Sequence, residues 1–176
     1  MLEGVDGSGK TTAAKDLANT LNAVYYQTPK GLWRKYRQLA EGKGVLIRFL
    51  YYLLATIFSS WEIFYLIRLR KKTVICDRYI LSTWANHQIR GCRFLQYLSP
   101  RLVPIIRPDK TFFLHVSTEE REVRIGSRLA NDVSDSDSLL LEKVQSLMMS
   151  YPEMHIIGTS DRTPREVLLL IKNCLL

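Results

Sequence analysis

Gly4-Val5-Asp6-Gly7-Ser8-Gly9-Lys10-Thr11 satisfies the pattern G-x-x-x-x-G-K-[ST] at every fixed position. No other stretch restricts the fold as strongly, because the pattern works only as a turn between a strand and a helix. Its glycines let the backbone curl until successive N–H groups point inward, at phosphate oxygens. The helix beginning near Lys10 adds its positive amino-terminal end. Lys10 then reaches the β- and γ-phosphates of a bound nucleotide, and the Thr11 hydroxyl holds magnesium. The helical pattern required behind the turn is present over 10–21, where Ala13, Ala14, Leu17, Ala18 and Leu21 recur at three- and four-residue spacing. Ahead of the turn stand Met1-Leu2-Glu3. The first strand is therefore expected to be very short, or to lack residues at the chain start, and no signal peptide is expected.

Short apolar runs rich in β-branched and aromatic residues follow at 23–26, 73–76, 111–116 and 154–157. Bounded by polar turns, they read as buried parallel strands. Helical patterns separate them. Ser117 with Glu120 and Thr163 with Glu166 have the spacing of capping boxes, the latter with Pro164 at the first helical position, and a closing helix is expected over 167–176. Strand–helix alternation predicts an α/β fold with three layers, α/β/α, around a central parallel sheet of about five strands. The chain has 176 residues, 47% apolar and 24% charged. That excludes disordered and collagen-like chains and fits one domain over 1–176.

In such sheets ligands bind at the carboxyl ends of the strands, and the chemistry-bearing residues fall there. Val74-Ile75-Cys76 runs into Asp77, an aspartate of the type that organises magnesium at a second strand. Arg78 follows where a water-activating ATPase would have glutamate, which favours a bound acceptor phosphate over water. No Asn-Lys-x-Asp occurs to read guanine.

Lys and Arg number 25 against 17 Asp and Glu, a net charge of +8. The excess favours anionic partners: nucleotides, nucleic acid or an acidic membrane surface. Cys76, Cys92 and Cys174 are widely spaced, and the 3 His show no metal-ligand spacing. Neither a disulfide framework nor a zinc site is indicated, and a reducing, cytoplasmic compartment is expected. The apolar segment 49–67 approaches the length of a membrane span. Ser59, Ser60 and Glu62 interrupt it and aromatics spread along it, which predicts a helix buried in the protein or in a dimer interface.

Four stretches now carry a resemblance: Glu3 through Thr12, then Asp77-Arg78-Tyr79 with Ser82-Thr83, then Pro108-Asp109, then 117–128. In this order and spacing the chain resembles the thymidylate kinase family of P-loop nucleoside monophosphate kinases. The resemblance implies a homodimer that moves the γ-phosphate of ATP to dTMP with magnesium. It implies a phosphate loop over 4–12 in which Gly4, Val5, Asp6, Gly7, Ser8, Gly9, Lys10, Thr11 and Thr12 bind ATP, an acceptor motif over 77–83 and a lid over about 121–138. By position, Asp6 contacts the acceptor sugar, Arg78 holds the acceptor phosphate, and Thr11 and Asp77 serve magnesium. Ser82 and His87 line the pyrimidine site, and Arg124 and Arg128 begin the lid and complete a catalytic set with Lys10, Asp6 and Arg78. Phosphoryl transfer brings two anions together, so cations must neutralise oxygens that otherwise repel.

The chain departs from the family around the acceptor. Gln27-Thr28-Pro29 stands in place of Arg-Glu-Pro, leaving Lys30, Arg34 or Arg37 to substitute. Tyr52 falls where a base-stacking aromatic belongs, and Thr56 within one residue of an arginine that reads the thymine carbonyl. The lid carries Asp132, Asp135 and Asp137 with no base from Leu129 until Lys143. The leading expectation is ATP-dependent phosphorylation of a pyrimidine nucleoside monophosphate, dTMP foremost, with no stable nucleic-acid or membrane partner. The alternatives are a deoxynucleoside kinase, or a non-catalytic P-loop protein that binds nucleic acid or membrane.

Overall fold

The computed structural model describes residues 1–126 and 138–175. Five parallel strands form the sheet: β1 (Leu2–Glu3), β2 (Val24–Gln27), β3 (Val74–Asp77), β4 (Thr111–His115) and β5 (Met154–Gly158), in the order β2-β3-β1-β4-β5. The short first strand occupies the centre. Its Leu2 pairs with Asp77 on one side and Phe112 on the other.

Helix α1 (Lys10–Thr20) and the last helix, α8 (Pro164–Asn173), cover one face of the sheet. The other face carries α4 (Val45–Arg68), α5 (Ile80–Ile89) and α7 (Ser138–Met149). Covered on both faces, the strands need no polar alternation. In β4, Phe112 and Leu114 enter the core with α1 and α8 while Phe113 enters the opposite core, all 1% exposed or less. Burying each such side chain contributes about 1.5–3 kcal/mol.

The expected strand positions agree with the observed ones to within a residue, and the three-layer architecture is the one expected. Two local details differ. Leu21, read as part of the buried face of the first helix, follows its end and is 41% exposed. Ser117 and Glu120 make half a capping box: the Glu120 N–H donates to Ser117 Oγ at 3.4 Å, but the Ser117 N–H donates to Ser160 Oγ at 2.9 Å. Thr163 and Glu166 make both halves, with Pro164 at the helix start.

The basic run after β2 forms two short helices, α2 (Gly31–Lys35) and α3 (Arg37–Glu41), largely exposed. The apolar segment forms α4, long and apolar enough to cross a membrane. One face, with Phe49, Thr56, Ser60 and Ile63, is buried against the protein. Leu50, Leu54, Phe58, Trp61 and Tyr65 are exposed, Trp61 at 71%. Between β3 and β4 lie α5 and two 3-10 turns, and α6 (Thr118–Gly126) follows β4.

Candidate active site

The phosphate loop turns on backbone geometry that side chains resist. Gly4 has φ +154°, and a Cβ there would lie 2.5 Å from Ser8 Oγ and 2.8 Å from Leu114 O. Gly7 has φ +87°, and a Cβ would meet Arg121 Cγ at 2.8 Å. Gly9 is the N-cap of α1 and offers no side-chain cap, so the first-turn N–H groups suit an anion. Lys10 is 5% exposed and donates to Val5 O at 3.0 Å and Asp6 Oδ1 at 3.1 Å. Burial, and then the charge of Arg78, lower its ammonium to about 8 against the pull of Asp6.

Asp6 stands between two cations. Its Oδ1 accepts from Lys10 and from Arg78 Nη2, and the Arg78 guanidinium holds its carboxyl well below the usual range. Arg78 has φ 65°, a left-handed backbone that costs roughly 1–2 kcal/mol. Three contacts hold it there. Its N–H donates to Leu2 O at 3.0 Å, and its carbonyl accepts the Thr28 hydroxyl at 2.6 Å and the Cys76 thiol at 3.1 Å.

Asp77 ends β3 fully buried. Its Oδ2 accepts Thr11 Oγ1 at 2.7 Å and the Tyr25 hydroxyl at 2.9 Å. Oδ1 is buried with no hydrogen-bond partner among the described residues. A buried carboxylate oxygen left over beside a threonine hydroxyl fits hard-cation chemistry, with oxygen donors and retained water, as magnesium prefers.

Arg124 links the phosphate loop to the turn after β5. Its guanidinium donates to Gly7 O at 3.3 Å and Thr159 O at 2.8 Å, and pairs with Glu120. With Gly9, Thr12, Thr159 and Arg162 it lines a cavity of about 400 Å³ beside the loop. Arg124 therefore faces the loop rather than solvent alone. Arg128 lies outside the described residues, as does most of the expected lid.

Tyr52 and His87 come together at the junction of α4 and α5, ring centroids 5.6 Å apart. The Tyr52 hydroxyl donates to Glu41 Oε1 at 3.0 Å. His87 is 3% exposed, and its Nδ1 lies 2.7 Å from Thr83 O. A carbonyl only accepts, so Nδ1 carries the proton. Burial lowers the imidazole to about 4, leaving it neutral with Nε2 an acceptor that has no partner among the described residues. Ser82 is buried in the first turn of α5, where its hydroxyl donates to Tyr79 O at 3.3 Å. Thr56 is buried, and its hydroxyl donates to Tyr52 O at 2.8 Å. Of the candidate substitutes for the missing arginine, Arg34 donates to Gln27 at 3.0 Å, Lys30 pairs with Glu62 at 3.5 Å and Arg37 with Glu41 at 3.8 Å.

The family model described as thymidylate kinase matches residues 2–168. The chain belongs to the thymidylate kinase family. A probable thymidylate kinase of Methanococcus aeolicus is 32% identical over 95% of this chain and 90% of its own length. Human mitochondrial UMP-CMP kinase 2 is 30% identical over 98% of this chain and 42% of its own. The crystal structure of thymidylate kinase from Ehrlichia chaffeensis superposes with a TM-score of 0.72 at 28% identity, covering 99% of this chain and 96% of that one. As a member of this family the chain is a nucleoside monophosphate kinase that uses ATP, a phosphotransferase acting on nucleotides.

Three residues of this thymidylate kinase family member touch the site without having been singled out for it. Tyr25 donates to Asp77, and Thr28 holds the Arg78 carbonyl. Glu3 is fully buried beneath the acceptor motif, and its Oε1 accepts the N–H of Tyr79 at 3.0 Å and of Ser82 at 3.4 Å. Burial pushes its carboxyl up. A charged residue at the end of the short central strand was a signal for Glu3. Tyr25 and Thr28 gave none, because their contacts depend on which strands become neighbours.

Proposed function

We propose that the chain transfers the γ-phosphate of ATP to dTMP, giving ADP and dTDP. The reading is carried by the cluster of Asp6, Lys10 and Arg78: one buried ammonium at the phosphate loop and one guanidinium at the acceptor motif, joined by a single carboxylate. Gly4, Val5, Asp6, Gly7, Ser8, Gly9, Lys10, Thr11 and Thr12 hold the ATP phosphates. Arg124 contributes charge from α6 and, beyond the described residues, Arg128 from the lid. Arg78 grips the acceptor phosphate, for which a planar, bidentate guanidinium is better suited than an ammonium. Asp6 exchanges its cations for the acceptor sugar as the two phosphates draw the cations away. Tyr52, Ser82 and His87 line the base end. Thr11 and Asp77 would hold magnesium, which would supply positive charge to offset that of the phosphate oxygens.

The exposed stripe on α4 supports a homodimer formed through this helix, since an isolated subunit would leave a large apolar face in water. We place the protein in the cytoplasm, in keeping with its free cysteines, two of which are buried. Family membership favours a monophosphate acceptor over a nucleoside and over a non-catalytic role.

The buried Thr56, where an arginine would read the thymine carbonyl, favours a second reading in which other pyrimidine monophosphates are accepted. A site without that donor discriminates weakly. A coupled ADP-release assay across dTMP, dUMP, UMP, CMP and thymidine tests both readings. Turnover is expected with dTMP, and a preference for dTMP over UMP and CMP well below a hundredfold favours the broader acceptor. Thymidine outpacing dTMP, or no turnover with any acceptor from protein that binds ATP, overturns the proposal.

A further inference from the structure

Two hydroxyls hold the Asp77 carboxylate, and only one belongs to the phosphate-loop pattern. The second comes from Tyr25, and the sheet register explains its reach. β2 and β3 run parallel with Gln27 opposite Asp77. Tyr25, two residues before Gln27, therefore shares the face of the sheet on which Asp77 stands, the face covered by α1. From there its ring extends along the strand direction, with the Lys15 ammonium of α1 lying 5.7 Å from the ring centroid. The phenol donates to Oδ2 at 2.9 Å, beside Thr11 at 2.7 Å.

A carboxylate can rotate about its Cβ–Cγ bond, which exchanges its two oxygens. Two donors on one oxygen, arriving from different elements, remove that freedom. Oδ1 is then the oxygen left without a partner among the described residues. Thr11 alone would hold less firmly, because its own oxygen is the group offered to a cation. Tyr25 does not share that duty.

We propose that Tyr25 is a positioning residue for magnesium: its hydroxyl fixes the rotamer of Asp77 that leaves Oδ1 available to the cation and its water. Tyr25 acts only through Asp77, and the inference rests on the reading of Asp77 as the magnesium carboxylate. Outer-shell partners of this kind typically change metal affinity by about 10–100-fold. Phenylalanine at position 25 would keep the ring and remove the donor.

The test is calorimetric titration of ADP into wild type and Tyr25→Phe, with EDTA and then with magnesium, together with a magnesium titration of turnover. In Tyr25→Phe the affinity under EDTA stays within about twofold of wild type. The gain on adding magnesium falls about tenfold, and half-maximal turnover needs correspondingly more magnesium. Tyr26→Phe is the control. Its hydroxyl donates to Glu62 at 2.8 Å on the opposite face, and its loss leaves the magnesium gain unchanged. If wild type shows no magnesium gain, the reading of Asp77 falls. If wild type shows the gain and Tyr25→Phe keeps it in full, only the inference falls. Equal losses with and without magnesium, or failure of Tyr25→Phe to fold, mark a scaffold role and likewise overturn it.

Discussion

At the scale of single residues, the site is organised by competition for a few charges. Lys10 is buried, and its ammonium sits at about 8. A triphosphate beside it restores the preference for the charged form, so binding takes up a proton wherever free Lys10 is neutral. The sign follows: ATP affinity is full below about pH 8 and falls as pH rises through that value. Calorimetry at pH 8.5 in buffers of different ionisation enthalpy should report proton uptake that is absent at pH 6.5. A Lys10→Met variant should bind weakly and show no such dependence. Equal uptake at both pH values would exclude Lys10 as the titrating group. Arg78 is constrained differently, through its backbone. Its left-handed φ is fixed from Leu2 on one strand and Thr28 beyond another, so the placement of its guanidinium depends on residues far from it in sequence.

At the scale of elements, β1 and α5 are tied together by a cap supplied from outside the helix. Tyr79 gives α5 no side-chain cap, and Glu3 on β1 accepts two of its orphan N–H groups instead. Glu3→Ala leaves those donors buried and unpaired, a cost of about 1–3 kcal/mol. Its Tm should drop by several degrees and its acceptor KM rise, whereas Glu3→Gln, which keeps an acceptor oxygen, should retain both. An unchanged Tm in Glu3→Ala would refute the cap. The same elements mark what the sequence could disclose. The phosphate loop was legible because eight neighbouring residues specify one local backbone shape, and the inner strands β3 and β4 because burial on both faces makes a nearly unbroken apolar run. Asp77 and Arg78 were legible as the end of such a run. Tyr25 and Thr28 were not, since their roles arise from strand register. The Ser117 pair was half right: Glu120 turns instead to Arg124 and to the Asp161 N–H, at 2.9 Å, and that attachment draws α6 toward the cavity.

At the scale of the whole molecule, α4 serves two surfaces at once. Its buried face carries Phe49 and Thr56, in contact with His87 and Tyr52, and its outer face carries the exposed Phe58 and Trp61. Sedimentation at micromolar concentration should give twice the chain mass for wild type and the single mass for Trp61→Asp. A wild-type monomer would remove the dimer from the account. The net charge of +8 also draws small anions toward the protein. An empty cleft with bare cations would collect them, and stray inorganic phosphate would foul it. Asp6 offsets part of that field: its one carboxylate pairs with both Lys10 and Arg78, so an anion that approaches either cation competes with a charge already in place.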